Sequence, residues 1–491
     1  METERMLIGQ EWLPAAEGGD LDNINPANGE LVCRIARGGA RDVDRAVAAA
    51  SESYRGAWSK LAASERALLL NAMADIIADR ADALALLDTQ DMGKPLTQTT
   101  TGDVVGAQGF LRYFAGLADK IEGVTYSTPD GVFGYSTREP YGVVGCIVPF
   151  NYPLTLACIK IAPALAAGNT VILKPASVSP RSALALGAIG LDAGLPPGTL
   201  NVVTGLGEEA GAAMAAHNGI GKITFTGSTT AGVRLVTASA GNFKKLTLEL
   251  GGKTANIILP DADLDMAIPA AARTIFLNSG QICTAGSRLL VHRDMKEQIL
   301  GPLVEIAEKL KVGDPMAADT KLGPLVSEEQ WQRVAGYIQG GIDEGATLLT
   351  GGGKPADPAL ADGYYMAPTI FDDVTPDMKI CRQEVFGPVL CVQSYETEAE
   401  AIELANGTGY GLAADLWTRD VNKAHKLAAQ LAAGIIWVNC TNVVGPWMSY
   451  GGFRASGLGF EGGIASLHEL TRPKSVIMDV SEQPNTWALD D

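Results

Sequence analysis

Three short motifs carry side chains able to attack, hold and hydrolyse a carbonyl compound. They occur in the order Pro149-Phe150-Asn151-Tyr152-Pro153, Glu249-Leu250-Gly251-Gly252-Lys253 and Gly280-Gln281-Ile282-Cys283-Thr284. The first offers an amide donor, the second a carboxylate and the third a thiol. A thiolate adds to an electrophilic carbon, an amide N–H stabilises the oxyanion that forms, and a carboxylate takes a proton from water. Where measured, one such oxyanion donor lowers a barrier by roughly 3–4 kcal/mol. Read singly, each residue has a plainer explanation. A free cysteine is most often a small buried hydrophobe, an asparagine between two prolines is a turn residue, and a glutamate at a strand end is solvated.

Other stretches look built for a nucleotide. Phe225-Thr226-Gly227-Ser228-Thr229-Thr230-Ala231-Gly232 puts two glycines five residues apart, after an apolar run and at a helix start. That geometry presents backbone N–H groups to a phosphate. Lys174-Pro175-Ala176-Ser177 supplies a cation and a hydroxyl. Gly205-x-Gly207-x-x-x-Gly211 is not a standard dinucleotide fingerprint. Glu384-Val385-Phe386-Gly387-Pro388 adds a carboxylate that rivals Glu249 as a base, and an aromatic ring that read bare belongs to a core.

Alternating short apolar runs and helices must position these groups. Helices are expected over 41–91, with Ser64 as an N-cap and Leu69, Met73, Ile76 and Ile77 at helical spacing, and again over 104–118. From residue 143 the runs 143–148, 170–173, 200–203, 222–226 and 245–250 read as strands, with helices over 155–167 and after Pro180. This is the pattern of a parallel sheet with crossover helices, which binds nucleotides at the carboxyl ends of its strands. A second α/β series follows: a helix over 263–277 stopped by Asn278-Ser279-Gly280, then strands over 288–292, 346–349, 389–395, 413–417 and 435–438. Cys283 therefore falls on a connection between elements, a usual place for catalytic residues. Residues 472–480 read as a further strand.

The totals narrow the class. A chain of 491 residues with 47% hydrophobic residues suits a globular enzyme of two or three domains. A net charge of −18 argues against nucleic acid as a partner. Seven sparsely spaced cysteines and four histidines, with no C-x-x-C or H-x-x-x-H, indicate neither a disulfide framework nor a metal site. Acid–base work should therefore fall to carboxylates. The longest uncharged run, 141–159, has Pro149, Asn151 and Pro153 at its centre, so a strand, a turn and a helix start are expected rather than a membrane span. The N-terminus shows no secretory pattern, and the expected compartment is the cytoplasm.

Taken together, the motifs closely resemble those of the NAD(P)-dependent aldehyde dehydrogenase superfamily over nearly the whole chain. The resemblance implies a Rossmann-like cofactor domain over 1–123 and 139–250 and an α/β catalytic domain over 251–440. It implies oligomerisation segments and a C-terminal tail over 124–138 and 441–491, in which the 472–480 strand and a hairpin over 124–138 form a small β oligomerisation module, and a homodimer or homotetramer. It makes Cys283 the nucleophile, Asn151 the oxyanion donor, Glu249 the base for thioester hydrolysis, and Lys160 an aid to proton movement. Lys174, Ser177, Gly227, Ser228, Gly232, Glu384 and Phe386 would hold NAD(P), with the 205–211 loop on the adenine side. NAD-preferring members often have Glu where Ser177 stands, so NADP use is expected beside NAD. The substrate funnel would include Phe110, Leu117, Ile159, Trp447 and Tyr450, which favours a medium-sized apolar or aromatic aldehyde and disfavours trimethylammonium aldehydes. Arg112 or Arg288 leaves semialdehydes open. A CoA-acylating enzyme is the rival activity, but such relatives commonly lack the carboxylate of Glu249. The segment Ser449-Tyr450-Gly451-Gly452-Phe453-Arg454-Ala455-Ser456-Gly457 departs from the family's P-F-G-G-x-K-x-S-G, placing a hydroxyl, that of Tyr450, at the funnel mouth.

Overall fold

The computed structural model describes residues 3–482. Two large sheets carry the fold. The first has eight strands in the order Gly457–Leu458, Lys245–Glu249, Lys222–Thr226, Val143–Ile147, Thr170–Lys174, Leu200–Val202, Met6–Ile8 and Glu11–Leu13. Its five central strands are parallel. In chain order they run 3-2-1-4-5, so the order reverses between Val143–Ile147 and Lys222–Thr226. Ligands bind parallel sheets at such a switch point. Asn151 follows the first of these strands, Lys174 and Glu249 end the second and fifth, and Gly227 follows the fourth.

The central strands are largely buried, polar positions included, because helices cover both faces. Val143–Ile147, Thr170–Lys174 and Lys222–Thr226 are buried at every position, as sheets built from crossover units require. Helices Ala63–Asp79, Val105–Leu117 and Pro153–Ala166 form one covering layer and bury Met73, Leu111, Phe114 and Ile161 completely. Pro153 opens the last of them at a position where no backbone donor is needed.

The second sheet runs Thr347–Thr350, Thr369–Asp372, Val389–Tyr395, Arg288–His292, Ala255–Ile258, Ala413–Trp417 and Ile435–Val438. All neighbours are parallel except the first pair. The strands Ala255–Ile258 and Thr369–Asp372 were not expected; each is only four residues long and fully buried. Thr471–Asp479 pairs antiparallel with Val132–Pro140 over nine positions. Residues 483–491 of the C-terminal segment lie outside the described residues. Gly457–Leu458, also from that segment, joins the first sheet beside Leu248 and Glu249.

One local expectation is corrected. Ser64 does not cap its helix. The N-cap is Ala62, whose N–H donates to Glu65 Oε2 at 2.7 Å. The carboxylate half of a capping box thus meets the need a serine would have met. Among the described residues no helix is long and apolar enough to cross a membrane.

Candidate active site

The nucleophile loop is shaped by an unusual backbone. After the helix Leu264–Phe276, Asn278, Ser279 and Gly280 take consecutive φ values of 49°, 53° and 71°. A left-handed conformation is costly for serine, so the turn must be held from outside. Asn278 Nδ2 donates to the Asn151 carbonyl at 3.0 Å, Ser279 Oγ to the Gly323 carbonyl at 2.7 Å, and Val326 N–H to Gln281 Oε1 at 3.0 Å. At Gly280 a Cβ would stand 2.0 Å from the Gly387 carbonyl oxygen, so only glycine fits.

Asn151 and Cys283 meet across this turn. Asn151 is buried, and its Nδ2 donates to the Gln281 carbonyl at 2.8 Å. The amide has two N–H groups, and this bond uses one of them. Burial pushes the Cys283 thiol up to about 12, with the Glu384 and Glu249 carboxylates adding to the shift. The resting sulfur is therefore a thiol, and its proton must leave to a nearby base before attack. Glu384 weighs on Cys283 more than Glu249 does, although the sequence motif favoured Glu249 as the base.

Glu249 is buried at a strand end with Oε1 unpartnered. Burial holds its carboxyl well above the ordinary range. Glu461 pushes it further, while Lys160 and a backbone contact from Gly452 draw it down. Lys160 Nζ, fully buried, donates to Glu461 Oε1 and to Thr224 Oγ1 at 3.1 Å. Glu461 thus completes the surroundings of Glu249. It stands in an ordinary Gly459-Phe460-Glu461-Gly462 stretch, with no local signal that would have picked it out.

The two glycines after Glu249 have separate tasks. A Cβ on Gly251 would meet Glu384 Oε2 at 2.5 Å; one on Gly252 would meet the Cys283 carbonyl oxygen at 2.4 Å. Gly252 N–H donates to Glu384 Oε1 at 3.0 Å. Ser456 Oγ fixes the same turn by donating to the Gly251 carbonyl at 2.7 Å. The Glu249, Cys283 and Glu384 motifs therefore converge on one place.

The match of residues 12–476 to the aldehyde dehydrogenase family model agrees with that convergence. The chain belongs to the aldehyde dehydrogenase family. An aldehyde dehydrogenase of Alternaria alternata is 44% identical over 96% of this chain and 94% of its own. The structure of PnpE from Pseudomonas sp. WBC-3 is 42% identical, covers 99% of both chains and superposes with a TM-score of 0.96. The NAD+ complex of an aldehyde dehydrogenase from Bacillus cereus is 40% identical over 98% of this chain and 97% of its own, with a TM-score of 0.95. The protein is thus an NAD(P)-dependent oxidoreductase that acts on aldehydes.

The residues present fit such a cofactor. Ser228 caps the helix Thr229–Ser239 by accepting from Ala231 N–H at 3.2 Å, so the helix starts directly after the Lys222–Thr226 strand. At Gly227 a Cβ would strike the Phe225 ring at 2.4 Å. Gly232 is buried, and its absent Cβ would lie 2.7 Å from Leu250 Cδ2, so a glycine here lets the helix pack closely against that residue. Lys174 is buried at its strand end, donates to the Pro175 carbonyl at 3.0 Å, and is lowered to about 8 by burial. Ser177 is half-buried on the loop that follows. Phe386 has φ 62°, and its ring meets that of Phe150 edge-on at 5.7 Å. The Gly207–Gly211 stretch forms one π-helical turn beside the Lys174 stem.

The expected funnel residues are not all gathered by packing. Phe110 and Ile159 are only 5% and 6% exposed and, with Leu117, belong to the helical core. Trp447 is 62% exposed. Tyr450 packs on the cluster of Ile435 and Trp437. Its phenol is held well above the ordinary tyrosine range by burial, then by Glu461, Glu249 and Cys283. Arg288 is withdrawn as a carboxylate binder. It is buried, and its guanidinium donates to the carbonyls of Lys253, Leu404 and Ala405 at 3.1, 2.7 and 2.8 Å. Arg112 is ion-paired with Asp75 at 2.7 Å.

Proposed function

We propose that this aldehyde dehydrogenase converts medium-sized apolar or aromatic aldehydes to carboxylates through a thiohemiacetal and a thioester on Cys283, with water as the final acceptor. The observation that carries the reading is a thiol flanked by two raised carboxylates, Glu249 and Glu384, and joined to the Asn151 amide through Gln281. In the first step the Cys283 proton passes to a carboxylate and sulfur bonds to the aldehyde carbon. The resulting oxyanion takes N–H donation from Asn151 and from the Cys283 backbone. Bound NAD(P)+ supplies the hydride acceptor. Glu249 then takes a proton from water, hydroxide adds to the thioester carbon, and the Cys283 thiolate leaves as the carboxylate forms.

Lys174, Ser177, Gly227 and Ser228 hold the phosphates and adenine ribose in this reading, and Glu384 and Phe386 the nicotinamide ribose. The loss of Arg288 as an anion partner and the pairing of Arg112 weigh against semialdehydes. Glu249 beside the thiol weighs against transfer to CoA. The cofactor domain spans 1–123 and 139–250 and the catalytic domain 251–440. Of the remaining segments, the Val132–Pro140 and Thr471–Asp479 pair assembles copies into a homodimer or homotetramer, which suits its exposed Phe133, Ile477 and Met478, whereas Ser456 and Glu461 serve the active site. The cytoplasm remains the expected compartment.

The deciding experiment compares Glu249→Gln with Glu384→Gln by rapid mixing, over a panel of aldehydes with and without CoA. Glu249→Gln should give a burst of reduced cofactor followed by turnover about 100-fold slower, because an amide cannot accept the proton of water. Glu384→Gln should raise the cofactor KM instead. If the two phenotypes exchange, Glu384 is the base. Stoichiometric acyl-CoA formation would overturn the choice of water.

A further inference from the structure

The turn that carries Asn151 is gripped from behind by a buried cluster of charges outside the catalytic set. Lys94 is 2% exposed, and its Nζ lies 3.3 Å from the centroid of the Tyr152 ring and 2.5 Å from Asp103 Oδ2. Asp103 holds the same segment again: its carbonyl accepts from Thr155 Oγ1 at 2.8 Å. Asp88 Oδ2 accepts from Leu154 N–H at 3.4 Å. Tyr152, Leu154 and Thr155 are thus each held by one member of a Lys94, Asp103 and Asp88 cluster. Asp103 sits on a π-helical turn, Thr99–Val104, a distortion frequent at functional sites.

The other side of Lys94 reaches the nucleophile loop. Gly93 ends the helix Ala81–Met92 with φ 78° and lies against Gly323, where a Cβ would stand 1.8 Å from the Gly93 carbonyl oxygen. Gly323 accepts from Ser279, and Val326 donates to Gln281. The segment 323–326 therefore seats Lys94 and grips the Cys283 loop together. A buried cation is expensive to desolvate, and a hydrophobic side chain would fill the same space at less cost. What a hydrophobe cannot supply is a directional hold on an aromatic face.

We propose that Lys94 is a positioning residue: by stacking its ammonium on Tyr152 it sets the register of the Asn151 amide against the Cys283 sulfur. The inference rests on the oxyanion role of Asn151 argued above. It predicts an effect on the two steps that pass through an oxyanion, larger or smaller as each depends on the amide: thiohemiacetal formation, read in the burst, and thioester hydrolysis, read in the slow phase; it predicts none on cofactor affinity.

The test measures the burst rate, the slow-phase rate and the cofactor Kd for Lys94→Met, Lys94→Arg, Tyr152→Leu, Tyr152→Phe and the Lys94→Met/Tyr152→Leu double variant. Lys94→Met and Tyr152→Leu should each slow the burst by about 10- to 100-fold with unchanged Kd, the cost of a small misplacement of reacting groups. The double variant should lose no more than Lys94→Met alone, since that substitution already removes the contact to Tyr152 along with the Asp103 pair. Tyr152→Phe keeps the ring face and should restore most of the burst relative to Tyr152→Leu. Lys94→Arg keeps a cation and should recover part of what Lys94→Met loses. A burst within about twofold of wild type in Lys94→Met, multiplicative losses in the double variant, or Tyr152→Phe as slow as Tyr152→Leu would each overturn the inference. Should Lys94→Met fail to fold, the Tyr152 pair decides alone. A burst that survives Cys283→Ala would instead overturn the covalent mechanism, and this inference with it.

Discussion

Replacing Gly252 by alanine tests the geometry of the site through a single methyl group. The new Cβ would stand 2.4 Å from the Cys283 carbonyl oxygen, with Leu412 Cβ at 3.3 Å behind it. Ordinary contacts begin near 3.4 Å, so the nucleophile loop must retreat by about 1 Å. The atom in the way is backbone, and it belongs to a loop tied down through Asn278, Ser279 and Gln281. A displacement of that size costs about 100-fold in rate, or about 2.7 kcal/mol of barrier. Gly251→Ala is the matched control. Its Cβ would meet Glu384 Oε2 at 2.5 Å, the far end of a flexible side chain that can swing aside. Neither glycine has a left-handed φ, so backbone strain plays no part in the comparison. The assay is rapid-mixing measurement of reduced-cofactor formation, with cofactor Kd measured separately by fluorescence. Gly252→Ala should slow the burst about 100-fold at nearly constant Kd, whereas Gly251→Ala should change the burst by less than about tenfold and weaken cofactor binding through Glu384. A Gly252→Ala burst within about threefold of wild type would show that the close approach to Cys283 is not what the reaction needs.

Cys283→Ala should abolish aldehyde oxidation and leave cofactor binding nearly intact; near wild-type turnover would refute the covalent route. Ser177→Glu should cut kcat/KM for NADP and spare NAD, since like charges a few ångströms apart at a wet surface cost on the order of 1–4 kcal/mol; an unchanged ratio of the two would show that Ser177 does not face the 2′ position. Lys174 has its pKa lowered to about 8, so its positive charge is present below that pH and lost as pH rises through it. The NADP/NAD ratio of kcat/KM should therefore fall as pH rises past about 8. In Lys174→Met the ratio should be lower and flat with pH, and a wild-type ratio that stays flat would rule out a 2′-phosphate contact.

Residues that act from a local motif were legible in the sequence, and residues that act through a distant partner were not. Cys283 and Asn151 sit on short connections and Glu249 ends a strand, and helical and strand periodicity locates such places. Gly280 and Gly252 were visible as glycines, but the reason for each is a carbonyl oxygen from elsewhere in the chain. Gly232 was visible through its spacing from Gly227, but the Leu250 side chain packed against it was not. Glu461 reaches Lys160 from 301 residues away, and Arg288 is spent on the Leu404 and Ala405 carbonyls over 100 residues away. No pattern read over one or two helical turns contains such pairs.

The same reasoning explains where the buried charges lie. Lys160 with Glu461 and Lys94 with Asp103 are the most deeply buried ion pairs among the described residues. Pairs of this kind add little net stability, because desolvation consumes most of the Coulomb gain. If stability alone were served, apolar side chains would do as well in either place. One pair instead lies beside Glu249, where its balance of charge acts on that carboxyl. The other stacks on Tyr152, the residue after Asn151. On the proposed roles, Lys160 bears on the protonation of Glu249 and Lys94 on the placing of the Asn151 amide. The two substitutions should separate accordingly: Lys160→Met should move the pH dependence of the slow phase, and Lys94→Met the rate of the burst.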